Sequence, residues 1–160
     1  MTEFIFTADW DYVADGVMGG LSRGGMTREV YKGRMAAVLR GDVSLENNGG
    51  FVQIAFDLPA NHTGFDASAW QGIKLEVCGN GALYDIRLRS LELTRPWQSY
   101  RAEFHAASTW QSIHIPFAEL APHRTESPLD LTKLRRIGIL GIGREFHAEI
   151  AVASVGLYRG

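Results

Sequence analysis

The stretch "ALYDIRLRS", Ala82 to Ser90, alternates apolar and polar residues from Tyr84 to Arg89. Successive side chains of an extended chain point to opposite faces, so Tyr84, Ile86 and Leu88 share one side and Asp85, Arg87 and Arg89 the other. The run "SYRAEF", residues 99–104, repeats the pattern with Tyr100, Ala102 and Phe104 inward. Together they predict a long hairpin closed near Arg95-Pro96-Trp97. Its outward face collects Asp85, Arg87, Arg89, Arg101 and Glu103, with opposite charges such as Arg87 and Glu103 meeting across the ladder.

The same alternation recurs through the chain, and no sustained helical period interrupts it. In "GGFVQIAFDLP" (49–59) Val52, Ile54 and Phe56 fall on one face, and in "GIKLEVCG" (72–79) Ile73, Leu75 and Val77 oppose Lys74 and Glu76. Further strands are predicted in "EFIFT" (3–7), "RMAAVLRG" (34–41), "VSLE" (43–46), "WQSIHIPF" (110–117), "RIGILGI" (136–142) and "AEIAVASVGLY" (148–158). Only "DLTKLRR" (130–136) offers an acid at an N-cap position before a short helical run. Eight to ten short strands exceed what one sheet accommodates without exposing an apolar face. The predicted fold is all-β, a jelly-roll-like two-sheet sandwich with at most one or two short helices.

The chain has 160 residues, 46% of them hydrophobic, and balances 16 basic against 18 acidic side chains. A length of this order buries roughly 70% of the unfolded surface in one domain, so a single domain over 1–160 is expected. The charge balance lacks the basic excess through which proteins neutralise phosphates, and nucleic acid is not an expected partner. The sole cysteine, Cys78, excludes an internal disulfide and reads as a small buried residue. "MTEFIFTADW" shows no basic segment followed by an apolar one, and no run reaches membrane-span length, so the expected location is cytoplasmic.

No catalytic or cofactor motif is complete in the sequence. "DGVMGGLSRGG" (15–25) holds five glycines but no lysine and hydroxyl after them, which a P-loop requires. Gly141-x-Gly143 is followed by a strand-like rather than a helical pattern, against a dinucleotide fingerprint. The five histidines show no metal-ligand spacing, and there is no G-x-S-x-G. The expectation is a protein without catalytic residues, cofactor or metal. In the first glycine block, Gly16, Gly19 and Gly20 are expected to supply positive φ or close backbone approach, with Asp15 capping the turn and Met18 plugging the sandwich edge. "NNGGF", Asn47 to Phe51, is expected to pack beside it, with the asparagine amides satisfying loop backbone. The alternative makes these blocks a binding loop with Asp15 and Asn48 as its polar contacts.

With Trp10, the Asp15–Gly20 block and Ser22, the block Asn47, Asn48, Gly49, Gly50 and Phe51, Gly79 with Gly81 and Tyr84, Tyr100 with Phe104, and Trp110 leading to Pro116-Phe117, the chain resembles the complex I intermediate-associated protein family, the thirty-kilodalton assembly-factor domain. The resemblance runs over nearly the whole chain. It departs at "APHRTESPLD" (121–130), which is short and lacks an arginine-glycine segment. The resemblance implies a galactose-binding-domain-like sandwich similar to carbohydrate-binding modules, with no catalytic residues. It further implies an interaction module, since the mitochondrial members act as chaperones in assembling the membrane arm of respiratory complex I. The other function in view is a carbohydrate- or small-ligand-binding module, in which Arg87, Arg89, Arg101 and Trp97 line the concave sheet and grip sugar hydroxyls or a small anion.

Overall fold

The alternating segments form strands, and residues 1–48, 50–59 and 62–160 are described by a computed structural model. The side chains of Val17, Met18 and Asn48 lie outside the described set, as does Gly49, so the expectations for Met18, Asn48 and Gly49 fall there too. In chain order the strands are β1 (Thr2–Ile5), β2 (Asp11–Ala14), β3 (Arg23–Tyr31), β4 (Arg34–Val43), β5 (Phe51–Asp57), β6 (Gly72–Gly79), β7 (Leu83–Ser90), β8 (Ser99–His105), β9 (Gln111–Pro116), β10 (Ala121–His123), β11 (Leu134–Ile142) and β12 (Phe146–Arg159). One sheet runs β3-β4-β12-β6-β9, with β1 pairing the end of β12; the other runs β10-β8-β7-β11-β5-β2. Every pairing is antiparallel, and the fold is a jelly-roll-like β-sandwich.

The predicted faces are the observed ones. Val52, Ile54, Phe56, Ile73, Leu75, Val77, Tyr84, Ile86 and Leu88 interlock in one core between the sheets. Tyr84 keeps its hydroxyl paired by donating to Asn80 Oδ1 at 2.7 Å while accepting from the Glu149 N–H at 2.9 Å. Along β12 the inward set is Ala148, Ile150 and Val152, then Val155 and Leu157; a register shift between Val152 and Ser154 resets the alternation. Cys78 is buried mid-strand beneath Tyr31, with Ala36, Val38 and Ala151, on the opposite face of its sheet. "DLTKLRR" gives one 3-10 turn, Leu131–Lys133, and Asp130 accepts from the Thr132 N–H at 3.0 Å.

Three strands exceed the sequence expectation. Those in β2, β3 and β10 are edge strands, where one face and one edge meet water and the hydrophobic alternation fades. The glycine stretch 15–25 is thus not all turn, because Gly24 and Gly25 open β3. Conversely "VSLE" is not a strand beyond Val43. Ser44 leaves the ladder to donate its N–H to Ser22 Oγ at 2.8 Å, and a 3-10 turn begins at Glu46.

The two glycine blocks meet at Asp15. The chain crosses between sheets from β2 to β3 and back from β4 to β5, and the Asp15 carboxylate ties the crossings together. It accepts from the Ser22 N–H at 3.0 Å, the Ser22 hydroxyl at 2.5 Å, the Gly50 N–H at 2.6 Å and the Phe51 N–H at 3.2 Å. Gly20 is obligatory here, because a Cβ would stand 2.4 Å from Asp15 Cγ, and Gly19 turns the chain at φ +83°. The other expected turn residue differs: Gly16 has open space and no positive φ. Asn47 supplies its own left-handed turn at φ 54°.

Burial alone would raise the Asp15 carboxyl, but the donors from Ser22, Gly50 and Phe51 outweigh it and hold the group below its ordinary 3.8. A depressed carboxyl contributes stability that is present above the unfolded value and lost as pH falls through the folded one. Replacing Asp15 by Ala strands three backbone N–H groups and is expected to cost about 3 kcal/mol in urea unfolding. Asp15→Asn is expected to flatten the loss of stability below pH 4.

Candidate functional site

The outward face of the second sheet carries the charged side chains of the β7–β8 hairpin, but not in the predicted pairing. Arg87 stands opposite Arg101, and Asp85 opposite Glu103. Two like-charged cross-strand pairs are unfavourable unless compensated. The compensation is diagonal: Asp85 Oδ2 accepts from Arg87 Nε at 3.1 Å and Nη2 at 3.0 Å, and Asp85 takes Arg101 through Nε at 2.8 Å and Nη2 at 2.7 Å. Asp85 is 2% exposed, so it is a buried counter-ion rather than a solvated decoration. Bonding to Asp85 raises the Arg101 guanidinium above its ordinary value.

Beside this cluster lies a groove of about 970 Å³, at the upper end of ordinary ligand sites. Its floor comes from rows that cross the sheet. Arg89 of β7 pairs with Arg136 of β11, and Arg87 with Gly138. Over Gly138 lies the Gln53 side chain, whose amide nitrogen would stand 2.2 Å from a Cβ at that position. One end of the groove is polar, with Arg89, Arg136, Ser99, Gln98, His123 and Arg124. The other is apolar, with Leu45, Phe51, Leu140 and Ile142. Trp97 and Pro96, from the turn between β7 and β8, stand at the polar end, and Trp97 is 51% exposed.

Arg89 holds that turn. Its Nη2 donates to the Arg95 carbonyl at 3.0 Å and lies 3.5 Å from that of Leu93. Among the described residues no carboxylate pairs with it, and Nε is buried without a partner, as is Ser99 Oγ. Burial first, then the Arg135 and Arg136 charges, lower its proton affinity. Burial likewise lowers His123, followed by Arg87, Arg124 and Arg101, with Asp85 opposing. Both shifts come first from burial, and the neighbouring arginine charges add to them in the same direction.

The sequence-derived candidates therefore separate. Arg87, Arg89 and Trp97 line the groove, and Arg101 stands beside it, bound to Asp85. Asp15 is fully buried, with four donors on its carboxylate, and is part of the crossover knot. The Asn48 side chain is outside the described residues. Arg136, Ser99, His123 and Arg124 were not anticipated. Alternation in "RIGILGI" already places Arg136 with Gly138 and Leu140, but the pairing of β11 with β7 is long-range and unsignalled in sequence.

The fold is a two-sheet, antiparallel, jelly-roll-like β-sandwich. The chain belongs to the complex I intermediate-associated protein 30 (CIA30) family, whose pattern it matches over residues 4–150. It is similar in structure to the family 11 carbohydrate-binding module of the cellulosomal cellulase Lic26A-Cel5E of Clostridium thermocellum, at TM-score 0.78 and 15% identity, covering 100% of this chain and 96% of that one. The family 11 module from Clostridium thermocellum solved with a β-1,3-1,4-mixed-linked tetrasaccharide aligns at TM-score 0.76 and 15% identity, covering 98% and 95%. The family 30 module of the cellulosomal cellulase Cel9D-Cel44B of Clostridium thermocellum aligns at 0.66 and 13%, covering 98% and 97%. At such identities the likeness establishes the fold. No curated protein matches the sequence. Among the described residues no helix is long and apolar enough to cross a membrane, and no cluster of three or more His, Cys, Asp or Glu is placed to hold a metal.

Removing Asp85 leaves two guanidiniums facing each other without a counter-ion. Asp85→Ala is expected to cost about 3 kcal/mol, the low end for breaking a buried pair because the Arg101 side chain keeps 35% of its surface in water. Chemical denaturation of the variant checks this, and an unchanged midpoint would show that the pair is dispensable.

Proposed function

We propose that the protein is a non-catalytic binding module that lays an oligosaccharide along the groove of its second sheet. The observation that carries this reading is the exposed Trp97 standing beside a row of planar donors along the groove. A sugar has apolar C–H faces and hydroxyl edges. The ring supplies a stacking face for the first, and Arg87, Gln98 and Gln53 supply hydrogen bonds for the second. The likeness to carbohydrate-binding modules supports the same reading by analogy.

Membership of the CIA30 family favours a second reading, an assembly or chaperone-like factor for a respiratory complex. In that case the same groove receives a segment of a protein partner. Affinity capture from native cells recovers a complex I-type subunit above background if this reading holds, and a glycan series shows no binding.

Trp97→Ala separates stacking from structure, because half of the residue is already in water. The expected outcome by titration calorimetry against a neutral and acidic oligosaccharide panel is a loss of affinity of roughly tenfold or more, with a melting temperature within a degree or two of the parent. A variant that binds as well as the parent removes the stacking platform from the account.

A further inference from the structure

The groove also has a sign. Acidic residues outnumber basic ones in the chain, 18 to 16, yet four arginines and no aspartate or glutamate line this groove. Arg87 is satisfied by Asp85, and Arg136 donates to Asp57 at 2.8 Å, a pair whose aspartate side chain is 70% exposed. Such an exposed partner binds weakly and yields to competition. Arg89 and Arg124 have no ion pair among the described residues. Arg89 is the telling case. A partly buried guanidinium bonded only to backbone carbonyls, beside a second arginine in register, is costly unless an anion completes it.

Resting on the groove reading above, we propose that the ligand is an acidic oligosaccharide, a chain of uronic acid residues whose carboxylate docks over Arg89, Arg124 and Arg136. The placement has a physical logic. The stacking ring and the arginines occupy the same end of the groove, so one sugar residue presents its C–H face to Trp97 and its carboxylate to the guanidiniums. A planar carboxylate matches the fork of a guanidinium in a way that a neutral hydroxyl does not. An acidic peptide has the charge but lacks the rigid C–H face for the ring, and the glycan is favoured on that ground. His123 adjoins the arginines at this end, facing Arg87, Arg101, Arg124 and Asp85, and registers the anion when it arrives.

The test uses tetramers of galacturonate and of glucuronate, their methyl esters, a neutral mixed-linked glucan tetrasaccharide, and polyglutamate of similar charge. The acid forms are expected to bind at least about tenfold more tightly than their esters, the worth of one charge-assisted contact. Their affinity is expected to fall with added salt, while that of the esters does not. In an NMR titration the acid tetramer raises the pKa of His123 and the ester leaves it in place, a readout that a purely structural role of the arginines does not move. Arg124→Gln, at an exposed position, and Arg136→Gln, whose ion-pair partner Asp57 is exposed, are each expected to weaken acid binding about tenfold with the fold intact. Esters or neutral glucan binding as well as the acids would overturn the charge selection and leave the groove reading standing. Binding of polyglutamate as tight as that of the uronates would overturn the choice of a glycan. No binding by any sugar at millimolar concentration would overturn both readings.

Discussion

A single buried carboxylate closes this sandwich at the point where the chain changes sheets twice. Two β-sheets facing each other are held by apolar burial, which is non-directional and leaves their relative register loosely set. The crossings between sheets set it. Asp15 draws N–H groups from both crossings to one carboxylate, and the Ser22 hydroxyl that donates to it accepts in turn from Ser44, so three loop segments are fixed by two side chains. Three backbone amides and one hydroxyl crowd around this carboxylate, and Gly20, where a Cβ would stand 2.4 Å from Asp15 Cγ, lets the neighbouring chain past.

The knot reaches the groove of the second sheet without belonging to it. Gly50 and Phe51, whose N–H groups it receives, line the apolar end of the groove, and Gly50 in turn accepts from the Gly143 N–H at 3.0 Å. The opposite end is fixed by a different device, the Arg89 guanidinium holding the turn that presents Trp97. Each end of the groove is thereby pinned by one charged side chain, a carboxylate buried among donors and a guanidinium bonded to carbonyls. A groove fixed at both ends loses little entropy on closing around a ligand.

Strands buried on one face announced themselves by alternation, and β5, β6, β7, β8, β11 and β12 follow their sequence patterns closely. Edge strands such as β3 and β10 did not, since a glycine pair or a proline is tolerated there and no sustained apolar face is demanded. The site was legible in part. Trp97, Arg87 and Arg89 are adjacent in one hairpin, so local sequence contains their relation. Arg136 and His123 arrive from strands 30 to 50 residues away along the chain, and pairing order across a sheet has no local signature. The Arg87–Arg101 juxtaposition was missed for a related reason. Charge complementarity suggested pairing Arg87 with Glu103, but the core set the register by burying Tyr84, Ile86 and Leu88 against their partners, and the polar face accepted the result through the Asp85 diagonal.

The residues that carry the family resemblance and those that line the groove are largely different sets. Asp15, Gly19, Gly20 and Gly50 serve the crossover, whereas Arg87, Arg89, Arg124, Arg136 and Trp97 face solvent from β7, β11 and two connecting turns. The first set is constrained by backbone geometry, where few alternatives fit. Side chains on the second face are constrained by local partners, Arg89 by the turn it holds and Arg87 by Asp85, while the core beneath sets only the register that presents them. One sandwich can therefore hold its architecture while its groove is rewritten for a glycan or a protein segment. The arginine-lined floor can therefore vary where the glycine signature cannot.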